Sequence, residues 1–104
     1  MQVNIHTKGL NLSDEEKNYI LKKMEKISSL AKRIKDESST IKVEIDKDKT
    51  KSEQDSIHCI INLHVPKETI RAESRAAWVK EAVDLTKKKL LPQIEAYKEK
   101  FSHH

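Results

Sequence analysis

The sequence predicts an α/β fold of the two-layer α+β type with the element order β-α-β-β-β-α. Hydrophobic residues recur with period two in four segments and with period 3.6 in two segments. A chain of 104 residues is long enough for one domain with one core. We therefore expect a four-stranded mixed sheet with two helices on one face. The first strand-helix-strand crossover should be parallel and right-handed, and the later connections should be hairpins.

The first strand and the first helix are predicted from the start of the chain. Val3 and Ile5 alternate with polar residues, which indicates a strand over about 2–6. Ser13 is a predicted N-cap, and Glu16, three residues later, completes a capping box. The polar segment 36–39 is expected to end this helix. Its apolar stripe is predicted to consist of Ile20, Met24, Ile27, Ala31 and Ile34.

Three more strands follow the first helix. Residues 41–46 alternate between apolar and charged side chains, which predicts the second strand. The run 46–55 contains no apolar residue and predicts a hairpin tip. The longest alternation, over 57–65, predicts the third strand. After a turn at 66–67, residues 69–73 predict the fourth strand, and the second face of the sheet is expected to stay polar and wet.

A second helix is predicted from about Arg75, where the period returns to 3.6. Pro92 predicts a kink or a break, because it lacks an N–H and its ring crowds the carbonyl of Lys88. Trp78 is interpreted as a packing residue near the helix start, or alternatively as an exposed contact residue. Tyr97 is expected to pack against the sheet end with its hydroxyl in water. The predicted apolar face comprises Val79, Ala82, Val83, Leu90, Ile94 and Tyr97.

Composition and motifs exclude several classes of function. The formal net charge of +4 weakly suggests a polyanionic partner, since a solvated charged surface has the same composition. No apolar run approaches the ~18 residues of a transmembrane helix, and the start does not resemble a signal peptide. Cys59, the only cysteine, fits a reducing cytoplasm and is interpreted as a small buried residue. Residues 103–104 are interpreted as a tag remnant, which leaves 1–102 as one domain.

No catalytic, cofactor or metal site is expected. The chain has a single glycine, and it contains neither a Gly-rich phosphate loop nor a hydrolase motif, so an enzyme with a small-molecule substrate is not predicted. His58 and His64 lie on one strand face, roughly 20 Å apart, too far to share a metal ion. The few aromatic residues argue against a single-strand binder that stacks successive bases.

Three segments of the chain are similar to one known family. Residues 9–20 (G-L-N-L-S-D-E-E-K-N-Y-I) resemble the start of that family's first helix, and 23–27 (K-M-E-K-I) resemble its K-L-x-K-L. Residues 82–98 match its pattern A-[IV]-D, four residues, K-L-x-x-Q-[LI]-x-x-Y-K. In this order the segments resemble the ribosome hibernation promoting factor and ribosome-associated inhibitor family, also called sigma-54 modulation proteins. The chain resembles a short form or an N-terminal domain of that family.

The resemblance implies a fold like double-stranded-RNA-binding domains and a role as a translation inhibitor. It implies binding to the small ribosomal subunit and the whole ribosome, in the channel that messenger and transfer RNA use, so that idle ribosomes are silenced or protected. We expect a cytoplasmic protein that is monomeric when free. The chain departs from the family at Pro92 and Ala96, where basic residues are common, and at 78–81, where the family has D-M-Y-A.

The candidate rRNA-binding residues are cations on the two helices. Binding an RNA backbone needs several cations on one rigid face. Recognition through phosphate and 2′-OH contacts needs no aromatic platform. If both helices lie on one side of the sheet, their cations form one ridge. The candidates are Lys22, Lys23, Lys26 and Arg33 on the first helix and Lys87, Lys88, Lys89, Lys98 and Lys100 on the second.

Two alternatives remain open at this stage. The first is a regulatory module that binds a protein partner, for which an outward Ile60 and an exposed Trp78 would supply the apolar contacts. The second is a generic binder of duplex RNA, which would bind RNA hairpins and ribosomes with comparable affinity.

Overall fold

The protein folds as a four-stranded mixed sheet with two helices, as the sequence predicts. The computed structural model describes residues 1–30, 34 and 38–102. The sheet order is β1-β2-β3-β4, in which β1 pairs parallel with β2 and the other pairs are antiparallel. The elements are β1 (Gln2–Lys8), α1 (Asp14–Ser28), β2 (Thr40–Lys47), a 3₁₀ turn (Glu53–Asp55), β3 (Ile57–Val65), β4 (Glu68–Ala76) and α2 (Val79–Ser102).

One row across the sheet shows how the register builds the core. Val3 pairs with Ile41, Ile41 with Leu63, and Leu63 with Ile70. Because side chains alternate along a strand, this register puts the apolar residues of all four strands on the same face. Ile41, Leu63 and Ile70 are buried there. The opposite face carries mainly polar side chains, as predicted, and the outward Ile60 lies there between Glu44 and Glu73.

Both helices bury their apolar stripes against that face. Ile20, Met24 and Ile27 of α1 are fully buried in the same hydrophobic cluster as the inner sheet residues and the apolar stripe of α2. Cys59 also lies in this cluster, and burial raises the pKa of its thiol to about 11. No helix in the described part of the chain is long and apolar enough to cross a membrane.

Helix α1 begins where predicted but ends earlier. The Ser13 hydroxyl accepts the Glu16 N–H at 3.1 Å, and the Glu16 carboxylate accepts the Ser13 N–H at 2.9 Å, which forms the capping box. The expected continuation past Ile34 is wrong, because the helix stops at Ser28. In a longer helix the Leu30 N–H would donate to the Lys26 carbonyl. Here it donates to the Ile27 carbonyl, and the Ser29 hydroxyl donates to the Lys26 carbonyl in its place. Ala31 and Arg33 lie outside the described residues.

Helix α2 begins later than predicted. Strand β4 continues to Ala76, with Arg75 paired to His58 and Ala76 paired to Ile57, so the expected helix start at Arg75 is wrong. Ser74 and Ala76 are buried and Arg75 is not, which is the period of two of a strand. Small residues at 74, 76 and 77 concealed this pattern in the sequence.

The predicted break at Pro92 is also wrong. Helix α2 runs through Pro92 without interruption from Val79 to Ser102. Pro92 and Lys88 are both exposed, so the Lys88 carbonyl that loses its helical donor lies on the solvent side. Leu90 and Ile94, on either side of Pro92, are fully buried and hold both halves of the helix on the sheet. Tertiary packing therefore outweighs the local preference of proline.

Replacing Pro92 by alanine should stabilise the protein. Pro92→Ala restores a backbone N–H that can donate to the Lys88 carbonyl, and we expect the free energy of unfolding to rise by about 1–3 kcal/mol. Urea denaturation followed by far-UV circular dichroism measures the change. Glu99→Ala, at an exposed position of the same helix, is the control and should stay within about 0.5 kcal/mol. An unchanged or lowered stability of Pro92→Ala would mean that the proline suits the helix geometry.

Candidate nucleic-acid interface

The helices α1 and α2 run side by side in the same direction. The ammonium group of Lys80 pairs with the carboxylate of Glu15 at their N-terminal ends. One turn further along, the Tyr19 hydroxyl donates to the two Asp84 carboxylate oxygens at 2.8 and 2.7 Å. Lys23 then lies 3.5 Å from Asp84. Because the contacts advance along both helices together, the helices are parallel and their outward faces adjoin.

The ring of Tyr19 lies between two lysines at this contact. The ammonium of Lys23 is 5.1 Å from the ring centroid and that of Lys80 is 5.3 Å from it, both within the range of cation–π attraction. The hydrogen bond to Asp84 raises the pKa of the Tyr19 hydroxyl. The charge of Asp84 raises the pKa of Lys23, and the bond to Glu15 raises that of Lys80. Both lysines are thereby held charged and in place.

Further along the helices, Lys87 lies near two other lysines, and Asp84 offsets only part of their positive charge. Burial lowers the pKa of Lys87, and the positive charges of Lys23 and Lys26 lower it further, while Asp84 partly opposes them. The ammonium group of Lys87 is therefore close enough to those of Lys23 and Lys26 to be repelled by them. A bound phosphate would relieve this repulsion, so the place suits a polyanion.

The cationic surface formed by the two helices is hereafter called the helix ridge. Lys22 joins it because it lines one shallow hollow with Lys80 and Tyr19, and Lys88 is exposed beside Lys87. Lys80 was missed in the sequence, although it precedes Lys87 by two helical turns and so falls on the same face. The helix ridge consists of Lys22, Lys23, Lys26, Lys80, Lys87 and Lys88.

Four of the predicted residues are not part of the helix ridge. Three of them lie elsewhere on α2, and the fourth lies outside the residues that the structure describes. Lys98 lies 3.6 Å from Glu95, and Lys100 lies 3.6 Å from Glu68, so both form ion pairs near the end of α2. Lys89 contacts strand β4, as described next. Arg33 lies outside the described residues. The helix ridge therefore keeps Lys22, Lys23, Lys26, Lys87 and Lys88 from the predicted set.

The side of α2 that faces β4 has a different role. Three polar side chains spaced four residues apart donate to main-chain carbonyls of β4 and of the turn before it: Lys89 to Glu73 at 2.9 Å, Gln93 to Arg71 at 2.9 Å and Tyr97 to Pro66 at 3.2 Å. Strand β4 is an edge strand, whose unpaired carbonyls invite pairing with another chain. The K…Q…Y pattern therefore covers this edge.

Two expectations about aromatic residues change with the structure. The ring of Tyr97 is 1% exposed and its hydroxyl donates to the Pro66 carbonyl, so the expected wet hydroxyl is wrong. Trp78 is 73% exposed, so its interpretation as a packing residue is wrong; its exposure is confirmed, and its role as a contact residue stays a prediction.

The outer face of the sheet holds the two histidines considered in the sequence. His58 Nε2 lies 3.3 Å from the Glu73 carboxylate, and His64 Nδ1 lies 3.1 Å from the Thr69 hydroxyl. Each histidine has a neighbour on β4, which suits a polar sheet face. Among the described residues, no group of three or more His, Cys, Asp or Glu side chains could hold a metal ion.

Comparison with known proteins gives one family match and a set of similar folds. Residues 3–102 match the family model described as Sigma 54 modulation protein / S30EA ribosomal protein. A ribosomal subunit interface protein from Coxiella burnetii has a TM-score of 0.75 and 22% identity, with 95% of this chain and 99% of that chain covered. The N-terminal domain of Protein Y from Thermus thermophilus has a TM-score of 0.74 and 18% identity, with 93% and 99% covered. None of the curated proteins compared with the chain matches it.

Substituting two neighbouring lysines should distinguish a lysine that stabilises the fold from one that only belongs to the helix ridge. Lys89→Ala removes the donor to the Glu73 carbonyl and should lower the free energy of unfolding by about 1 kcal/mol. Lys88→Ala, at the exposed neighbouring position, should leave stability within about 0.5 kcal/mol. Parallel urea titrations measure both changes. Equal stabilities would show that the Lys89 contact contributes nothing to the fold.

Proposed function

The chain belongs to the Sigma 54 modulation protein / S30EA ribosomal protein family, and on this premise we propose that it is a ribosome-binding translation regulator. It binds the rRNA of the small subunit in the channel for messenger and transfer RNA, and it silences or stabilises idle ribosomes. The observation that supports this proposal is the helix ridge, where six lysines from two parallel helices share one rigid surface.

The proposed mechanism is steric and involves no reaction. The ridge lysines neutralise phosphates and release the counterions of the RNA, which supplies the affinity. The Tyr19–Asp84 hydrogen bond fixes the spacing of the helices before binding, so the loss of conformational entropy on binding is small. Messenger and transfer RNA are then excluded because the channel is occupied. The proposal has residues 1–102 acting as one cytoplasmic domain that is monomeric when free.

Charge reversal on the ridge is the main test of this function. Lys23→Glu with Lys26→Glu should weaken binding to purified small subunits by about tenfold or more and make the dependence of log affinity on log salt shallower by about 1.5–2. Lys8→Glu with Lys42→Glu makes the same change of net charge on the polar outer sheet face and should change affinity little. Co-sedimentation with small subunits, large subunits and whole ribosomes at two salt concentrations measures binding.

Three results of that experiment would contradict the proposal. The wild-type protein could fail to sediment with small subunits at low salt. Both double variants could lose the same affinity, which would show attraction to net charge alone. The Lys23→Glu, Lys26→Glu variant could bind like the wild type, which would remove the ridge from the interface.

Removing one acid from the ridge should act in the opposite direction. Asp84→Asn keeps an oxygen that can accept the Tyr19 hydroxyl but removes the negative charge 3.5 Å from Lys23. We expect small-subunit affinity to rise by about two- to fivefold at low salt, the range set by one exposed ion pair. Glu44→Gln, which also removes one negative charge but on the outer face, should have a smaller effect. Weaker binding of Asp84→Asn would make the carboxylate itself part of the interface.

A further inference from the structure

Trp78 is placed where the fold gains little from an indole. It directly precedes α2, and its carbonyl accepts the Ala82 N–H, which makes it the N-cap residue of that helix. Its side chain has no acceptor for the free N–H groups of the first turn, and such a cap costs about 1 kcal/mol relative to Ser or Asp. With 73% exposure, the indole also gains little from burial. The indole is therefore accessible for contact with a ligand.

Trp78 forms one wall of a surface hollow of about 460 Å³ at the end of the sheet. Ala77 and Ile57 continue the apolar wall, and the β2–β3 hairpin tip supplies the polar one. The remaining lining residues are Lys47, Asp48, Lys49, Lys51, Glu53, Gln54 and Ser56.

The lining of the hollow carries a small excess of positive charge, because Lys47, Lys49 and Lys51 outnumber Asp48 and Glu53. The ammonium groups of Lys47, Lys49 and Lys51 are exposed and form no salt bridge with any residue of the described part of the chain. Asp48 is already engaged, because it accepts both the N–H and the hydroxyl of Thr50 and lies 3.7 Å from Arg75. These contacts lower the pKa of Asp48. Lys47, Lys49 and Lys51 thus line the same hollow as the exposed indole of Trp78, and the carboxylates of Asp48 and Glu53 line it with them.

We propose that this hollow binds one unpaired nucleotide of RNA, with its base stacked on Trp78 and its phosphates near the lysines of the hairpin tip. Stacking on an aromatic side chain with nearby cations is how proteins hold single-stranded nucleotides. The scarcity of aromatic residues argues against a platform for several bases, but a single indole is sufficient for one base.

The inference rests on the proposed function and extends it. Trp78 lies two residues before Lys80, so the hollow adjoins the N-terminal end of the helix ridge. RNA held on the ridge by its phosphates could place an unpaired nucleotide in the hollow. The ridge supplies affinity for any sequence, and the hollow adds a requirement for an unpaired base at one position.

The test uses Trp78 as its own reporter, because it is the only tryptophan of the chain. The protein is titrated with hexaadenylate and with an abasic hexamer that has the same phosphates but no bases. We expect hexaadenylate to quench the emission of Trp78 and to bind about fivefold tighter than the abasic hexamer. An acidic hexapeptide is the probe for a protein partner and should not quench it.

A second measurement tests whether Trp78 contributes to binding of the small ribosomal subunit. Trp78→Ala should bind small subunits about fivefold more weakly than the wild type in co-sedimentation. Leu21→Ala, which removes another exposed apolar side chain (40% exposed) from α1, should bind like the wild type. Circular dichroism of both variants checks that the fold is retained, which the exposure of both side chains leads us to expect.

The outcomes separate this inference from the proposed function. Wild-type binding to small subunits with no quenching by hexaadenylate, or with full affinity of Trp78→Ala, would overturn the nucleotide site and leave the ridge in place. Quenching by the acidic peptide alone would overturn it in favour of a protein partner. Failure of the wild type to bind small subunits would reject the proposed function, and the inference with it.

Discussion

The hydrogen bond from Tyr19 to the two carboxylate oxygens of Asp84 joins α1 to α2 on the solvent side of the core. Burial of the apolar stripes already forces both helices onto one face of one sheet. Hydrophobic packing is non-directional, however, and leaves freedom in how the helices slide past each other. A hydrogen bond to a carboxylate has a fixed geometry, so it sets their register. The positions of Lys23, Lys80 and Lys87 follow from that register.

Three sides of helix α2 have different roles: one faces the core, one faces α1 and one faces β4. Its apolar stripe, which includes Leu90 and Ile94, packs in the core. The side toward α1 carries Lys80 and Lys87 of the helix ridge, and the side toward β4 carries Lys89 and Gln93, which bond carbonyls of the edge strand. Adjacent lysines in the run 87–89 therefore have different roles, because successive helical residues are about 100° apart. Charge that faces the sheet edge serves the fold, and charge that faces α1 is the charge that binds RNA in the proposed function.

Most of the fold could be predicted from the sequence because its signals are local. Alternation over 41–46 and 57–65 gave two strands, and the Ser13–Glu16 capping box gave the start of α1. The end of α1 and the continuity of α2 through Pro92 could not be predicted. Those features depend on serine hydroxyls that bond carbonyls and on buried residues that hold a helix against a proline. Such effects become visible only when tertiary contacts are known.

The candidate site could be predicted only in part. The sequence identified the basic residues of both helices but could not distinguish those that face α1 from those that face β4. It missed Lys80, because the pairing of Lys80 with Glu15 and Tyr19 joins residues about sixty positions apart in the chain. Trp78 stayed ambiguous because its exposure depends on how β4 ends and α2 begins.

Binding of the small subunit through the helix ridge is tested most directly by a cryo-electron microscopy structure of the protein bound to small ribosomal subunits. We expect density in the channel for messenger and transfer RNA, with α1 and α2 facing rRNA and with ridge lysines at phosphates. Density outside that channel, or a pose in which the outer face of the sheet contacts the RNA and the helices face solvent, would contradict it.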